Sequence, residues 1–279
     1  MKIHSIETGF FKLDGGAMFG VVPKSIWNRI NPADDNNMCT WAMRCLLIED
    51  DNQLILIDTG IGNKQDEKFF SHYYLHGDSS LASSLRSKGF SFADVTDVIL
   101  THLHFDHCGG AIIRQGDKLL PAFPNATYWS NARHWKWATE PNAREKASFL
   151  KENILPLKES GQLKFIEDVA AEFPLNISIR QVFGHTDAMM LPQFTYKGRS
   201  ILYMADLLPS AGHIPLPYVM AYDMFPLTTL NEKKSFLEEA VENETILFFE
   251  HDPKIECATL QRTEKGVRLK EEIKLSDLG

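Results

Sequence analysis

The chain has 279 residues, of which 44% are hydrophobic and 24% are charged, and its formal net charge at pH 7 is −8. This composition is typical of a globular protein, and the acidic balance argues against a nucleic-acid partner because phosphate binding needs a basic surface. The N-terminal residues lack the apolar core of a secretory signal, and no stretch approaches the roughly 20 apolar residues of a membrane helix. We therefore expect no membrane partner.

The four cysteines, Cys39, Cys45, Cys108 and Cys257, do not follow the spacing of a disulfide framework. We interpret them as reduced thiols of a cytoplasmic protein, with Cys108 pointing into the core rather than binding a metal. No linker, repeat or low-complexity tract divides the chain, so we expect a single domain over residues 1–279. The oligomeric state is left open, and a homodimer is one of the alternatives.

The first part of the chain is predicted to be rich in strands. Strands are expected around residues 3–13, 43–48 and 54–58, the last of which runs into Asp58-Thr59-Gly60. Residues 80–88 favour a helix that ends at Gly89. The apolar run of residues 97–100 then predicts a short buried strand.

The segment that follows this strand is the most informative in the chain: Thr101-His102-Leu103-His104-Phe105-Asp106-His107-Cys108-Gly109-Gly110. Side chains alternate along a strand, so His102 and His104 point the same way, and Asp106 and His107 can turn toward the same point. Imidazole and carboxylate ligands this close together suit zinc, iron or manganese. A histidine-rich surface loop is the alternative, and the preceding buried strand disfavours it.

Two helices are predicted next, at residues 131–138 and 143–157. This insertion, with the residues just before it, carries Trp129, Trp135 and Trp137. It is interpreted either as a lid over the metals or as ordinary amphipathic helices whose aromatic rings pack on the sheet, and the second interpretation is favoured.

Three more residues that can bind a metal follow later apolar strands. His185 follows residues 177–183 in a Gly-His-Thr turn, Asp206 ends residues 200–205, and His251 ends residues 245–250. Ligand sites of layered α/β folds gather at the C-terminal ends of strands. A single histidine at a strand end is usually structural, but several strand ends that each carry a metal-binding group are hard to explain by packing.

A proline-rich loop of residues 209–226 leaves from Asp206, and a helix at 230–242 and strands at 255–263 and 266–269 complete the chain. We expect the loop to border the substrate and, with Met18, Phe19 and Tyr222, to form an apolar pocket. His213 is the titratable side chain of the part of this loop nearest Asp206. It is a candidate catalytic donor to a leaving group or an oxyanion, although a structural role is favoured.

The order HxHxDH, then His in a Gly-His-Thr turn, then Asp, then His resembles the metallo-β-lactamase superfamily of metallohydrolases. Residues 54–60 are similar to its early strand and Asp-Thr-Gly turn. Within the superfamily, the whole pattern, with residues 13–20 and 123–126, most resembles the branch of acyl-homoserine lactone lactonases and methyl-parathion-hydrolase-like enzymes. The resemblance implies an α/β fold, an αββα sandwich of two mixed β-sheets flanked by helices.

The resemblance also implies two divalent metal ions, with zinc expected and iron or manganese as alternatives. The implied ligands of the first ion are His102, His104 and His185, and those of the second ion are Asp106, His107 and His251. Asp206 would bridge the two ions. Asp58 would orient ligands from behind, although a simple turn-forming role has similar weight.

The implied reaction is hydrolysis of a small-molecule substrate by a metal-bound hydroxide, with Asp106 moving a proton and with lactones or other apolar esters as substrates. A phosphotriester or thioester hydrolase of the same fold and a non-enzymatic binding module are the alternatives. Pro209 stands where lactonases of this branch often have Tyr, and Asp187-Ala188 replaces the usual Pro-Gly. Both departures bear on the lactone substrate and leave the metal ligands unchanged. Asp206 in place of Cys disfavours a β-lactam substrate.

Overall fold

The computed structural model describes residues 1–168, 173–174 and 176–278. The chain forms two compact units: Met1–Gly9, Met43–His72 and Gly77–Leu175 make the first, and Phe10–Ala42, Tyr73–His76 and Asn176–Gly279 make the second. The single domain expected over residues 1–279 stays a prediction.

The strands, in chain order, are β1 (Lys2–Asp14), β2 (Met38–Asp50), β3 (Gln53–Ile57), β4 (Asp97–Ile99), β5 (Ile112–Gln115), β6 (Lys118–Pro121), β7 (Thr127–Ser130), β8 (Leu163–Phe165), β9 (Ile177–Val182), β10 (Met189–Tyr196), β11 (Arg199–Tyr203), β12 (Ile246–Phe248), β13 (Cys257–Thr263) and β14 (Gly266–Ile273). The α-helices are α1 (Gly15–Phe19), α2 (Lys24–Trp27), α3 (Glu67–Ser71), α4 (Leu81–Ser87), α5 (Phe105–Cys108), α6 (Ala132–Thr139), α7 (Lys151–Glu159) and α8 (Pro226–Glu242). Short 3-10 helices include Gly109–Ala111, Ala205–Leu207 and Ala211–His213.

One six-stranded sheet has the order β1-β2-β3-β4-β7-β8. β2 and β3 are antiparallel, whereas β3, β4, β7 and β8 pair in parallel, so the sheet is mixed. β4 lies inside the parallel part, with Val98 opposite Leu56 and Tyr128. All three of its residues are buried, which explains why the sequence there is a short apolar run without alternation. Asp97 remains tolerable in this position because its carboxylate accepts a hydrogen bond from the Trp129 indole.

The other six-stranded sheet has the order β14-β13-β12-β11-β10-β9. Its strands pair antiparallel except β11 and β12, which are parallel, with Tyr203 opposite Phe248. Because β11 and β12 run in the same direction, the residues that follow them, Asp206 and His251, leave from the same end of this sheet. The long helix α8 buries Phe236, Leu237 and Ala240.

The predicted strands of both sheets are confirmed, and β2 and β14 are longer than the sequence indicated. The prediction of one helix over residues 143–157 is wrong in its first half, because α7 begins only at Lys151. The Asn142 side chain accepts hydrogen bonds from the amides of Arg144 and Glu145, which holds this stretch as turns. Among the helices of the described ranges, none has the length and hydrophobicity that crossing a bilayer requires.

Candidate metal centre

The HxHxDH segment leaves β4 and enters the four-residue helix α5, which Gly109 and Gly110 follow. A Cβ at Gly109 would overlap the Ile61 carbonyl, and one at Gly110 would overlap the Thr59 carbonyl. The two glycines therefore allow the segment to lie directly against the turn that follows β3. In this first unit, Asp106 and His107 are both buried on α5.

Asp58, in that turn, fixes two of the histidines. The carboxylate accepts hydrogen bonds from the Thr101 amide at 2.8 Å, the Thr101 hydroxyl at 2.7 Å and His107 Nδ1 at 3.2 Å. Because the hydroxyl donates to Asp58, Thr101 Oγ1 accepts from His102 Nδ1, 3.1 Å away. Both imidazoles therefore carry their proton on Nδ1 and their lone pair on Nε2. These contacts support the orienting role predicted for Asp58.

Glu145 orients His104, the remaining histidine of the segment, through Nε2 rather than through Nδ1. Its Oε1 accepts from His104 Nε2 at 2.9 Å, so the lone pair of His104 is on Nδ1. That nitrogen lies 3.0 Å from His102 Nε2. Two lone pairs at this distance repel each other unless a cation lies between them, so the pair fits a metal ion.

The insertion between β7 and β8 supplies this carboxylate and braces the segment in a second place. Trp137 Nε1 donates to Glu145 Oε2 at 2.6 Å, and His134 Nε2 accepts from the Leu103 amide at 2.9 Å. Trp135 and Trp137 pack against the apolar core of this unit, as the favoured interpretation of the tryptophans predicted. Sequence reasoning missed Glu145 and His134, for which the signal was an ionisable residue inside an aromatic-rich stretch.

In the second unit, Asp206 lies between two imidazoles. Its Oδ2 is 3.1 Å from His185 Nε2, and its Oδ1 is 3.2 Å from His251 Nε2. His185 Nδ1 donates to Asp223 at 2.9 Å, and His251 Nδ1 donates to the Ala42 carbonyl at 2.7 Å. A neutral imidazole in either position would turn a lone pair toward the Asp206 carboxylate, so the arrangement requires positive charge, which a metal ion or a proton on Nε2 supplies.

The pKa of His185 also indicates that positive charge is favoured at this position. Burial alone would lower the pKa of His185, but the carboxylates of Asp206 and Asp223 outweigh it and raise that pKa to about 10. Positive charge is thus strongly favoured beside Asp206. Neutral imidazole nitrogens together with a carboxylate are the donor set that zinc prefers, so the residues present fit a divalent metal ion.

His213 is buried in the second unit, away from solvent. Its two ring nitrogens lie 2.8 Å from Ser210 Oγ and 2.9 Å from the Met18 carbonyl, and its ring stacks on Phe19 with 4.7 Å between centroids. Burial lowers the pKa of His213 to about 3, so the imidazole is neutral at physiological pH. These contacts favour the structural role, and the catalytic role of His213 stays a prediction.

The family model described as the Metallo-beta-lactamase superfamily matches residues 44–251. An N-acyl homoserine lactonase from a Bacillus species is 23% identical over 264 residues, which cover 90% of this chain and 93% of that protein. A probable metal-dependent hydrolase from Staphylococcus aureus has a similar structure, with a TM-score of 0.84, 26% identity and 98% of each chain covered. AidC, a dizinc quorum-quenching lactonase in complex with a product, shares the fold with a TM-score of 0.80, 21% identity, and 98% of this chain and 94% of that chain covered. The predicted fold class, an α/β fold with mixed β-sheets flanked by helices, is confirmed.

We expect Glu145→Gln to weaken zinc binding about 10- to 100-fold, because the substitution removes the charged acceptor that orients His104. Competition with a chromogenic chelator measures the affinity. Glu140→Gln is the matched control, since Glu140 is exposed at the end of α6. Equal zinc affinity in the two variants would show that the Glu145 contact does not orient a ligand.

Proposed function

This chain belongs to the metallo-β-lactamase superfamily, and we propose that it is a hydrolase that uses two divalent metal ions to cleave lactones or other apolar carboxylic esters. The observation that carries the proposal is the arrangement of five buried histidines, each of which places one ring nitrogen beside a protein acceptor and directs the other at a neighbouring histidine or carboxylate. The long match to an N-acyl homoserine lactonase supports the lactone as the first substrate to test.

We propose that His102, His104 and His185 hold one ion, that Asp106, His107 and His251 hold the other, and that Asp206 bridges the two. Distances within each unit support these sets: in the first unit His102 Nε2 lies 3.0 Å from His104 Nδ1, and in the second unit Asp206 lies within 3.2 Å of His185 and His251. The imidazole and carboxylate donors favour zinc, with iron or manganese as alternatives. The dizinc centre named for the similar lactonase AidC agrees with this choice.

Divalent ions held in this way supply Lewis acidity to a substrate carbonyl and increase the acidity of water. Within the chain, Asp106 is the proposed proton acceptor. Its carboxylate is buried, and its Oδ2 lies 3.9 Å from His107 Nε2. An ionised carboxylate there can take a proton and pass it to a leaving group.

The cysteine beside the ligands does not supply a nucleophile. Burial raises the pKa of Cys108 to about 12, so the side chain is a thiol that donates to the Leu103 carbonyl. The expectation that Cys108 points into the core is confirmed. Hydrolysis by water, without a covalent enzyme intermediate, fits this side chain better than nucleophilic catalysis.

The substrate proposal also depends on the loop after Asp206. Met18 and Phe19 are buried beside this loop, whereas Tyr222 is 39% exposed. Pro209, at the position of the tyrosine common in lactonases, contributes its carbonyl oxygen, which accepts from the His251 amide at 3.0 Å. The apolar pocket expected from Met18, Phe19 and Tyr222 stays a prediction, and such a pocket would favour an uncharged or weakly charged ester.

The four cysteines are free and buried. They support a cytoplasmic location, which we retain as a proposal together with a small-molecule substrate and the absence of a nucleic-acid partner. A homodimer remains an alternative to a monomer.

We expect Asp206→Ala to empty at least one metal site and to abolish turnover, because it removes the proposed bridge. Metal content per chain, measured by mass spectrometry after gel filtration, tests the first effect. Asp117→Ala is the control, since Asp117 is exposed beside the β5–β6 turn. Full metal content together with full activity in Asp206→Ala would refute the assignment.

For the substrate, we expect kcat/KM to be highest on lactones with an apolar acyl group, then on aryl esters. The zinc-loaded enzyme is assayed on these and on a paraoxon-like triester, a glutathione thioester and a β-lactam, with Asp206→Ala as the blank. A preference for the triester would favour the phosphotriesterase alternative. Activity confined to the thioester or the β-lactam would contradict the proposal.

His213→Ala should lower stability by on the order of 3 kcal/mol, the usual cost of truncating a buried aromatic ring. Turnover should change little, because both ring nitrogens already bond to protein groups. Thermal unfolding, metal content and initial rates separate these effects. Loss of an oxyanion donor costs about 100- to 1000-fold, so a loss of that size with intact metal content and folding would establish a catalytic role instead.

A further inference from the structure

Lys233 on α8 is a buried cation with an unusual set of partners. Its side chain is almost completely buried. Its ammonium group lies 2.6 Å from the carbonyl oxygen of Tyr218, 2.7 Å from that of His213, and 3.3 Å from those of Pro215 and Leu216. One side chain thus reaches four carbonyls in six consecutive residues, all in the loop that follows Asp206.

The carbonyl groups of this loop require hydrogen-bond donors. Pro215 and Pro217 lack an amide hydrogen, so this stretch offers fewer backbone donors than a regular helix or strand. The Tyr218 amide donates to the Pro215 carbonyl, whereas Lys233 donates to the carbonyls of His213 and Tyr218. An ammonium group offers three donors, and burying it is unfavourable unless each donor has an acceptor. Lys233 and the loop carbonyls therefore satisfy each other.

The loop is not packed against protein on every side. A surface cavity of about 250 Å³ separates the loop residues Ile214, Leu216 and Pro217 from α8 and the β13–β14 hairpin. The lining on that far side is Lys234, Leu237, Glu238, Lys265, Gly266, Val267 and Arg268. Side chains that face a cavity have fewer contacts than core side chains, so the loop has room to shift. The hydrogen bonds from Lys233 oppose this shift, together with the contacts of the His213 ring with Phe19 and the Met18 carbonyl.

The same loop is connected to the proposed metal ligands within the second unit. It begins just after Asp206, and the Pro209 carbonyl accepts from the His251 amide. Farther along, the His213 ring stacks on Phe19 and bonds to the Met18 carbonyl. A displacement of His213 would therefore move the apolar residues that we propose line the substrate pocket.

We propose that Lys233 is a positioning residue, which holds the loop of residues 210–218 in the one conformation that shapes the wall of the substrate pocket beside Asp206. It acts through the loop carbonyls and does not touch the substrate. The part of this inference that concerns substrate rests on the proposed function, whereas the part that concerns the loop does not.

The direct test is hydrogen–deuterium exchange of the metal-loaded protein, comparing Lys233→Met with Lys234→Met. Lys234 is the exposed neighbour and carries the same charge. Burial lowers the pKa of Lys233 to about 7, against the opposing effect of Asp223, so exchange is measured at about pH 6, where the ammonium form keeps three donors. In Lys233→Met, peptides covering residues 210–219 should exchange at least about tenfold faster, with β11 and β12 unchanged.

Two further variants separate positioning from general destabilisation. Ala240→Gly weakens α8 at a buried position that does not contact the loop carbonyls, and it should leave loop exchange as in the wild type. Lys233→Gln keeps two donors without a charge, and it replaces Lys233→Met if that variant does not fold. Its loop should exchange faster than the wild-type loop.

Kinetics give the second readout. On the best ester substrate, Lys233→Met should raise KM about tenfold or more with a smaller change in kcat, while zinc content stays at the wild-type value. Loop exchange equal to that of Lys234→Met, or faster exchange spread evenly over the whole chain, would overturn the inference. If the wild-type protein hydrolyses no ester or lactone, the proposed function fails, yet the exchange result still decides the role of Lys233.

Discussion

The unfavourable approach of lone pairs is the constraint on which the centre depends. In the first unit, His102 Nε2 and His104 Nδ1 lie 3.0 Å apart with both lone pairs directed inward. In the second unit, the Asp206 carboxylate lies within 3.2 Å of two imidazole nitrogens in the same state. Buried acceptors that face each other are unstable without a cation. The protein is built to supply negative potential at these points, and a divalent ion is the species that it suits.

The cation requirement determines what the surrounding residues must do. Each histidine can turn a lone pair inward only if its other nitrogen has an acceptor behind it. Asp58, Glu145, Asp223 and the Ala42 carbonyl provide these acceptors, directly or through the Thr101 hydroxyl. Three carboxylates that would otherwise be costly to bury are thereby stabilised, and the imidazoles are held in fixed tautomers.

The loop after Asp206 shows a different use of buried polar groups. His213 and Lys233 are both titratable and almost completely buried. Lys233 bonds to backbone carbonyls, and His213 bonds to one backbone carbonyl and to the Ser210 hydroxyl. Burial lowers the pKa of His213, so its imidazole is neutral near neutral pH. These side chains add hydrogen bonds to a segment in which two prolines lack an amide hydrogen.

The sequence by itself determined the strands that carry the proposed ligands, the order of those ligands and the family, whereas β5, β6, β7, β8 and β10 were not predicted. Apolar runs define buried strands locally, and a histidine or aspartate directly after such a run is fixed at the strand end. Glu145, His134 and Lys233 could not be predicted in this way. Glu145 is 41 residues from His104, and the helix predicted around it is replaced by turns that Asn142 stabilises. His213 likewise bonds to the carbonyl of Met18, which is 195 residues away in the sequence. Only the tertiary structure decided these partners, because the residue that neutralises a buried group depends on how distant segments pack, whereas periodicity depends only on neighbours.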